Sequence, residues 1–285
     1  MIVTARALDP VRLDGGRYLA ICEVGDPDGD VAFYFHGTGS SRLEVEHFAT
    51  AAESRGIRLV GWDRPGSGHS PFQEGRRLTS VIDDARAVAK VLGVERVPVA
   101  GFSGGGCHVL ALVATAADLV TRGVVINPAP PADAVHVAEL PPPMDRLVMA
   151  ARDQPARLAV LIRGMELIGG RLGEALRLRS LPASDRAVVT GPARALFESI
   201  AAEGARQAHA YGNEALMFWR EPWGFALDEF PVPVDVFSGD EDPFRAFCRR
   251  LETAGATFHG YAGGHNSCFV PQVEDDVMAA LAAPV

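Results

Sequence analysis

A serine set among glycines, Gly101-Phe102-Ser103-Gly104-Gly105, has the G-x-S-x-G form of a nucleophile elbow, a sharp strand-to-helix turn that lifts a hydroxyl to the edge of a sheet. Val97-Pro98-Val99-Ala100 precedes it as a strand, and Gly104 to Gly106 open a helix. The glycines are needed because the strained backbone at such a serine draws neighbouring chains too close for a Cβ. A hydroxyl is a poor nucleophile at neutral pH and needs a base that is itself held by an acid, each delivered by a later strand end. The strand predicted over 234–237 runs into Ser238-Gly239-Asp240-Glu241-Asp242-Pro243, and the next, over 257–261, runs into Gly263-Gly264-His265. Of the eight histidines only His265 follows the last predicted strand. Asp242 is preferred to Asp240 as the acid, because the G-x-x-D spacing carries its carboxylate beyond the strand end. The chemistry these three imply is attack by Ser103, proton transfer by His265 and orientation of the imidazole by Asp242.

Such groups must be positioned by a sheet, and residues 16–130 alternate short β-branched or aromatic runs with longer helical patterns, the mark of a mostly parallel sheet covered by helices. Strands are predicted over 18–24, 31–35, 57–62, 97–102 and 123–126, several as unbroken apolar runs suited to burial on both faces. Helices are predicted over 43–54, 81–92 and 104–117. The second has Ser80 as its cap with Asp83 at the third position. Ile82, Ala85, Ala89 and Leu92 share its inner face, Lys90 points outward, and Gly93 is the stop. After Asn127 come proline-rich linkers and about 80 residues of helical pattern without a strand. Within them Leu158, Leu161, Ile162, Met165 and Ile168 make one stripe, and a further helix is expected over 193–210. From Pro231 the β/α rhythm returns, with helices expected over 243–254 and 273–283. The expected architecture is one α/β core, residues 1–131 and 229–285, interrupted by a helical insertion over 132–228.

The composition narrows the function classes. The chain has 285 residues, 48% hydrophobic and 22% charged, and a net charge of −9, so its field repels polyphosphate and anionic lipid. No basic cluster overrides it, so neither a nucleic-acid nor a membrane partner is expected. The longest nearly apolar run, 109–117, is far short of a membrane span, and the first ten residues lack an apolar signal core. A cytoplasmic protein is expected, and a homodimer is compatible with the sequence. Cys22, Cys107, Cys248 and Cys268 lie far apart without metal-ligand spacing and read as reduced, buried thiols. Lys90 is the single lysine, which argues against Schiff-base and P-loop chemistry. No cofactor and no metal are expected.

With His36-Gly37 after the strand at 31–35, Asp63-Arg64-Pro65-Gly66-Ser67-Gly68, the elbow, Gly239 to Asp242 and Gly264-His265 in this order, the chain resembles the α/β-hydrolase-fold superfamily over nearly its whole length. Within it the likeness is to esterase-like members with a helical cap. The resemblance implies an oxyanion hole made by the backbone N–H groups of Gly104 and Thr38, with Asp63 to Gly68 as a structural turn beside the site. Gly39 stands where many relatives have proline, which leaves the loop of Thr38 less rigid on paper. Because this scaffold hosts many reactions, function must be argued from the site. Serine at 103 argues against the epoxide hydrolase and dehalogenase branches. Met144, Met149, Met165, Met217, Phe218, Trp219 and Trp223 suggest an apolar substrate body beneath the cap, though Leu and Met at helical spacing more often serve packing. Trp219, Trp223 and Phe102 are the candidate pocket residues.

The leading reading is a cofactor-independent serine hydrolase of a small apolar carboxylic ester, thioester or lactone, working through an acyl-enzyme. Carbon-carbon bond hydrolysis, a lyase step or a cyclase step with the same three groups is the alternative. A non-catalytic ligand-binding protein that keeps the residues is a third.

Overall fold

The apolar runs in the sequence become the middle strands of an eight-stranded sheet buried on both faces. The computed structural model describes residues 4–154, 178–207 and 210–284. In chain order the strands are β1 (Arg6–Ala7), β2 (Val11–Arg12), β3 (Tyr18–Leu19), β4 (Ile21–Gly25), β5 (Asp30–Phe35), β6 (Ile57–Trp62), β7 (Val97–Phe102), β8 (Val120–Ile126), β9 (Val234–Gly239) and β10 (Thr257–Tyr261). The large sheet has the order β1-β4-β6-β5-β7-β8-β9-β10, while β2 and β3 form a separate antiparallel ribbon. β4 runs antiparallel to both β1 and β6; β5 to β10 are parallel wherever they pair. A parallel sheet gathers the carboxyl ends of its strands on one edge, and the loops after β5, β7, β9 and β10 all emerge there.

The helices are α1 (Ala49–Glu53), α2 (Val81–Leu92), α3 (Gly104–Thr115), α4 (Ala134–Ala138), α5 (Met144–Asp153), α6 (Ala183–Val189), α7 (Arg194–Gly204), α8 (Ala210–Trp219), α9 (Arg245–Arg250) and α10 (Pro271–Leu281). On one face of the sheet Phe33, Phe35, Val97 and Val99 pack with α2, α3 and α9. On the other, Ala32, Tyr34 and Ala100 pack with α1 and α10. The alternation along β5 is the period of two that a strand covered on both faces requires. Every residue of α3 from Gly104 to Val113 is buried. Gly123 on β8 allows this helix its close approach, since a Cβ there would lie 2.6 Å from Val113 Cγ2.

Several expected boundaries shift, each for a local reason. The strand expected over 18–24 breaks at Ala20, whose N–H donates to Ser70 Oγ at 3.0 Å and whose carbonyl accepts from Asp63 N at 2.9 Å, so it is lost to the ladder. The helix expected over 43–54 begins as a 3-10 segment, Arg42–Phe48, before α1. Ser80 stands at the N-cap position of α2, but its side chain makes no capping hydrogen bond. It ends a preceding 3-10 turn, Leu78–Ser80, and its hydroxyl accepts the N–H of Arg77 instead. Gly93 does close α2, with φ 70°. The helix expected over 243–254 is α9 followed by a 3-10 turn, and that over 273–283 starts earlier, with Pro271 at its first turn. Among the described residues of 132–228 no strand occurs. The stripe from Leu158 to Ile168 lies outside the described residues. The helix expected over 193–210 ends at Gly204, where a Cβ would lie 2.5 Å from Ser40 O; the helix therefore meets the loop after β5 backbone to backbone.

Beneath α10 the buried His47 lies between the tilted rings of Phe197 and Phe269, with ring centroids 4.6 Å and 4.3 Å away. Burial pulls its pKa down to about 3. Between the unfolded value near 6.5 and that point, only the unfolded chain takes up the proton, so this residue makes stability fall as the pH falls. Lowering the pH from 7 to 5 should cost about 2 kcal/mol through His47 alone. The expectation is that His47→Phe shrinks the pH 7 to pH 5 loss of unfolding free energy, measured by urea titration, by about that amount. Equal losses in the two proteins would show that the imidazole protonates without unfolding.

Candidate active site

Ser103 sits between β7 and α3 with φ 53° and ψ −119°, a backbone that L-residues rarely adopt. Its surroundings over-determine it. The N–H donates to Ile126 O at 2.8 Å and the carbonyl accepts from Gly106 N at 2.9 Å. A Cβ on Gly101 would lie 2.6 Å from the backbone of Gly105, and one on Gly105 would lie 1.9 Å from Phe35 O. The turn can close only with glycine at both places.

The loops after β9 and β10 bring the other two residues to this hydroxyl. His265 Nε2 is 3.0 Å from Ser103 Oγ, and His265 Nδ1 is 2.5 Å from Asp242 Oδ2. The second oxygen of Asp242 accepts the N–H of Phe244 at 2.7 Å. Asp240 serves the backbone instead, accepting the N–H of Gly263 at 2.7 Å. Burial works to lower the pKa of His265, but the charge and hydrogen bond of Asp242, with smaller help from Asp185 and Glu44, outweigh it and leave the imidazole above its ordinary value. Phe102 and Phe244 flank the ring at 4.9 Å and 5.5 Å.

These groups open into a cavity of about 950 Å³. Its core side holds Thr38, Phe102, Ser103, Gly104, Phe244 and His265. The wall across from them comes from the 132–228 segment, with Met144, Leu147, Leu181, Phe218 and Trp219 prominent. Trp219 and Phe102 both line this cavity. The structure does not bring Trp223 to this cavity. It packs on Phe225 and Phe247, gives its indole N–H to Phe218 O at 2.9 Å, and borders a separate hollow of about 450 Å³. The N–H groups of Thr38 and Gly104 have no protein acceptor among the described residues, the latter because it is the first residue of α3. Among the described residues no group of three or more His, Cys, Asp or Glu side chains gathers to hold a metal ion.

A family model of the α/β hydrolase fold matches residues 33–245. The chain belongs to the α/β hydrolase fold family. It is 33% identical over 109 residues to a bifunctional esterase/perhydrolase of Acinetobacter calcoaceticus, a match that spans 38% of this chain and 40% of that protein. Among solved structures it is similar to a hydrolase from Pseudomonas aeruginosa, with TM-score 0.73 and 17% identity over 97% of this chain and 98% of the other. It is also similar to a carboxylesterase from Bacillus subtilis, with TM-score 0.69 and 19% identity over 98% and 92% of the two chains. At such identities the structural likeness is one of fold.

Within this α/β hydrolase several residues that hold the site were not singled out by motif. Asn127 follows β8 with φ 47° and is fully buried. Its side-chain amide donates to His265 O at 2.8 Å and to Tyr261 OH at 2.6 Å, so it ties the end of β8 to the histidine loop. Its only signal was a polar residue at the end of an apolar strand. Glu44 accepts from Gly37 N at 2.9 Å, Tyr34 OH at 2.8 Å and Ser40 Oγ at 2.5 Å, gripping the Thr38 loop from one side. Gly39 adopts φ 76°, which proline cannot, so side chains rather than a ring stiffen this loop.

Arg64 grips the same loop from the other side. It donates to the carbonyls of His36 and Gly37 and to both carboxylate oxygens of Glu214 on α8. Burial pushes the pKa of Glu214 up, but Arg64 and then His108 more than reverse it, keeping the carboxyl well below the usual range. A lone acid in the apolar stretch Ala215-Leu216-Met217-Phe218 was the available sequence signal. Asp63, read as part of a structural turn, accepts from the N–H groups of Arg42 and His69 at 2.7 Å and 2.9 Å and fixes that turn. On α6, Ser184 donates to Glu241 at 2.5 Å, while Asp185 accepts from Asn266 N at 2.9 Å and Ser267 Oγ at 2.8 Å. The helix therefore grips the neighbours of both Asp242 and His265.

Removing one partner of a buried pair leaves the other charge uncompensated, at a cost of about 3–5 kcal/mol. Glu214→Ala is expected to lose stability of that size in urea denaturation, and Glu214→Gln, which keeps an acceptor, distinctly less. Equal, small losses in both would show that Arg64 finds water or another acceptor.

Proposed function

We propose that this α/β hydrolase is a cofactor-independent serine hydrolase that cleaves a small apolar carboxylic ester, thioester or lactone through an acyl-enzyme on Ser103. The observation that carries the reading is the continuous path Ser103 Oγ, His265 Nε2, His265 Nδ1, Asp242 at the floor of a largely apolar cavity. His265 Nε2 accepts the hydroxyl proton as Oγ attacks the acyl carbon, and Asp242 stabilises the imidazolium and fixes its tautomer. The carbonyl oxygen becomes an oxyanion that the N–H groups of Gly104 and Thr38 receive. Collapse expels the leaving group, which takes the proton from Nε2; water then repeats the sequence to release the acid and restore Ser103. The helices of 132–228 act as the cap, and their apolar side chains select the substrate body. The esterase names of the relatives support the reaction class.

Ser103→Ala should lower turnover of p-nitrophenyl esters on the order of 10³-fold or more without unfolding the protein, and should abolish mass labelling by a fluorophosphonate. Retained turnover would remove Ser103 from the mechanism. Asp242→Asn should cost orders of magnitude by favouring the wrong tautomer, whereas Asp240→Asn should cost a few-fold at most. The reverse ranking would transfer the role of acid to Asp240.

The two tryptophans should separate cavity from packing. Trp219→Ala is expected to change the ranking of esters of graded acyl length. Trp223→Ala, which empties a packed site beside Phe225 and Phe247, should lower the melting temperature by several degrees with the ranking unchanged. Both variants are read by the same ester panel and the same thermal scan. An altered ranking only in Trp223→Ala would assign substrate selection to the wrong wall.

A further inference from the structure

The helix α6 places a carboxylate on the loop that carries His265. Asp185 is 1% exposed and lines the cavity together with Ser103. Its Oδ1 accepts the N–H of Asn266 at 2.9 Å and the hydroxyl of Ser267 at 2.8 Å, and Ser267 Oγ in turn accepts the N–H of Gly264 at 3.0 Å. Both neighbours of His265 are thus bound through one carboxyl group. The approach is close, since a Cβ on Gly264 would lie 2.6 Å from Asp185 Oδ2, and only glycine at 264 leaves the carboxylate its seat on the turn. From the end of β8, Asn127 holds the carbonyl of His265 itself.

Holding a loop does not by itself call for a charge. An asparagine at 185 would offer the same acceptor oxygen at a smaller desolvation cost, and among the described residues no cation forms an ion pair with Asp185. The positive charge available to it is the one His265 acquires. Burial works against that charge, while Asp242 from the loop after β9, and more weakly Asp185 from α6 and Glu44 from the segment after β5, favour it. Tyr261 and Cys268 are kept neutral by burial. The same cavity is lined by Glu241, which accepts from Ser184, by the Arg194–Glu198 pair and by His47, which burial keeps neutral near pH 7. We infer that Asp185 is a positioning residue for the reaction, a second carboxylate behind His265 that fixes the histidine loop and balances the imidazolium formed as Ser103 attacks. The inference rests on the reading of Ser103 as nucleophile and His265 as its base. As Oγ bonds the acyl carbon its proton passes to Nε2; the buried anion stabilises the resulting cation, and the seated loop keeps Nε2 on Oγ. Asp185 itself touches neither the proton nor the substrate bond.

The test follows kcat/KM for p-nitrophenyl butyrate, and the rate of labelling by a fluorophosphonate, across pH in wild type, Asp185→Asn, Asp185→Ser and Asp185→Glu. Thermal unfolding confirms that each variant is folded, and two neutral variants keep the comparison open if one is not. Without the anion the imidazolium is less stable, so His265 stays neutral to a lower pH. The acid limb of both profiles should therefore move down by roughly 0.5–1 pH unit in the neutral variants. The same loss, felt by the imidazolium in the transition state, should lower kcat on the plateau by about three- to tenfold with KM within about two-fold. Asp185→Glu, which keeps the charge, should hold the limb to within about 0.2 pH units of wild type. A role confined to the shape of the loop would lower kcat at every pH and leave the limb in place. An unmoved limb in the neutral variants, or a shift that Asp185→Glu shares in full, would overturn the role of Asp185 while leaving Ser103 as nucleophile. A wild-type protein that neither takes up the fluorophosphonate nor turns over the ester would overturn both readings together.

Discussion

A single buried cation organises the active edge of this molecule. Arg64 is 2% exposed, so the fold must supply acceptors for its five N–H donors in a medium where an unpaired guanidinium is intolerable. Two of those acceptors are the carbonyls of His36 and Gly37; the others are the oxygens of Glu214. Satisfying the guanidinium thus fixes the backbone that presents Thr38 and, in the same act, the height of α8 above the core. The neighbouring imidazoles are forced to comply. Burial, reinforced by Arg64, holds His36 down to about 3, and burial holds His108 down to about 4, so neither adds a second positive charge near neutral pH.

The helices of the 132–228 segment are fastened to the loops that bear the site rather than laid over them. α6 bonds the residues beside Asp242 and His265, α7 meets Ser40 backbone to backbone and places Glu203 on Arg42, and α8 closes on Arg64. A change of position in any of these helices is felt beside Asp242, beside His265 or in the loop of Thr38 through one or two hydrogen bonds. The wall of the cavity and the Ser103–His265–Asp242 array are therefore mechanically linked in the protein.

The sequence told most where an element announces itself locally. The apolar runs of β5, β6 and β7, the glycines of the elbow and the G-x-x-D spacing after β9 are short-range patterns, and the sheet and the approach of Ser103, Asp242 and His265 follow from them. What was not legible joins distant parts of the chain. Asn127 meets a residue 138 positions away and Arg64 meets one 150 away, and no periodicity encodes such a meeting. Trp223 shows the converse error: it is near β9 in sequence, yet its indole packs against Phe247 of α9 and borders a separate hollow. Ala20 and Ser80 belong to a third kind, where propensity was overruled by a hydrogen bond to a neighbouring loop or turn.

The single lysine gains a meaning from its place in the sheet. Lys90 is exposed near the end of α2, the helix that carries the chain back to the start of β7, so it lies at the edge of the sheet remote from Ser103. All four thiols are buried, and burial raises each one's pKa, that of Cys107 to about 12, so none competes as a nucleophile near neutral pH. The one side-chain amine is thus a natural tether: coupled through it to a bead or electrode, the molecules would stand in a common orientation with their cavities facing the liquid.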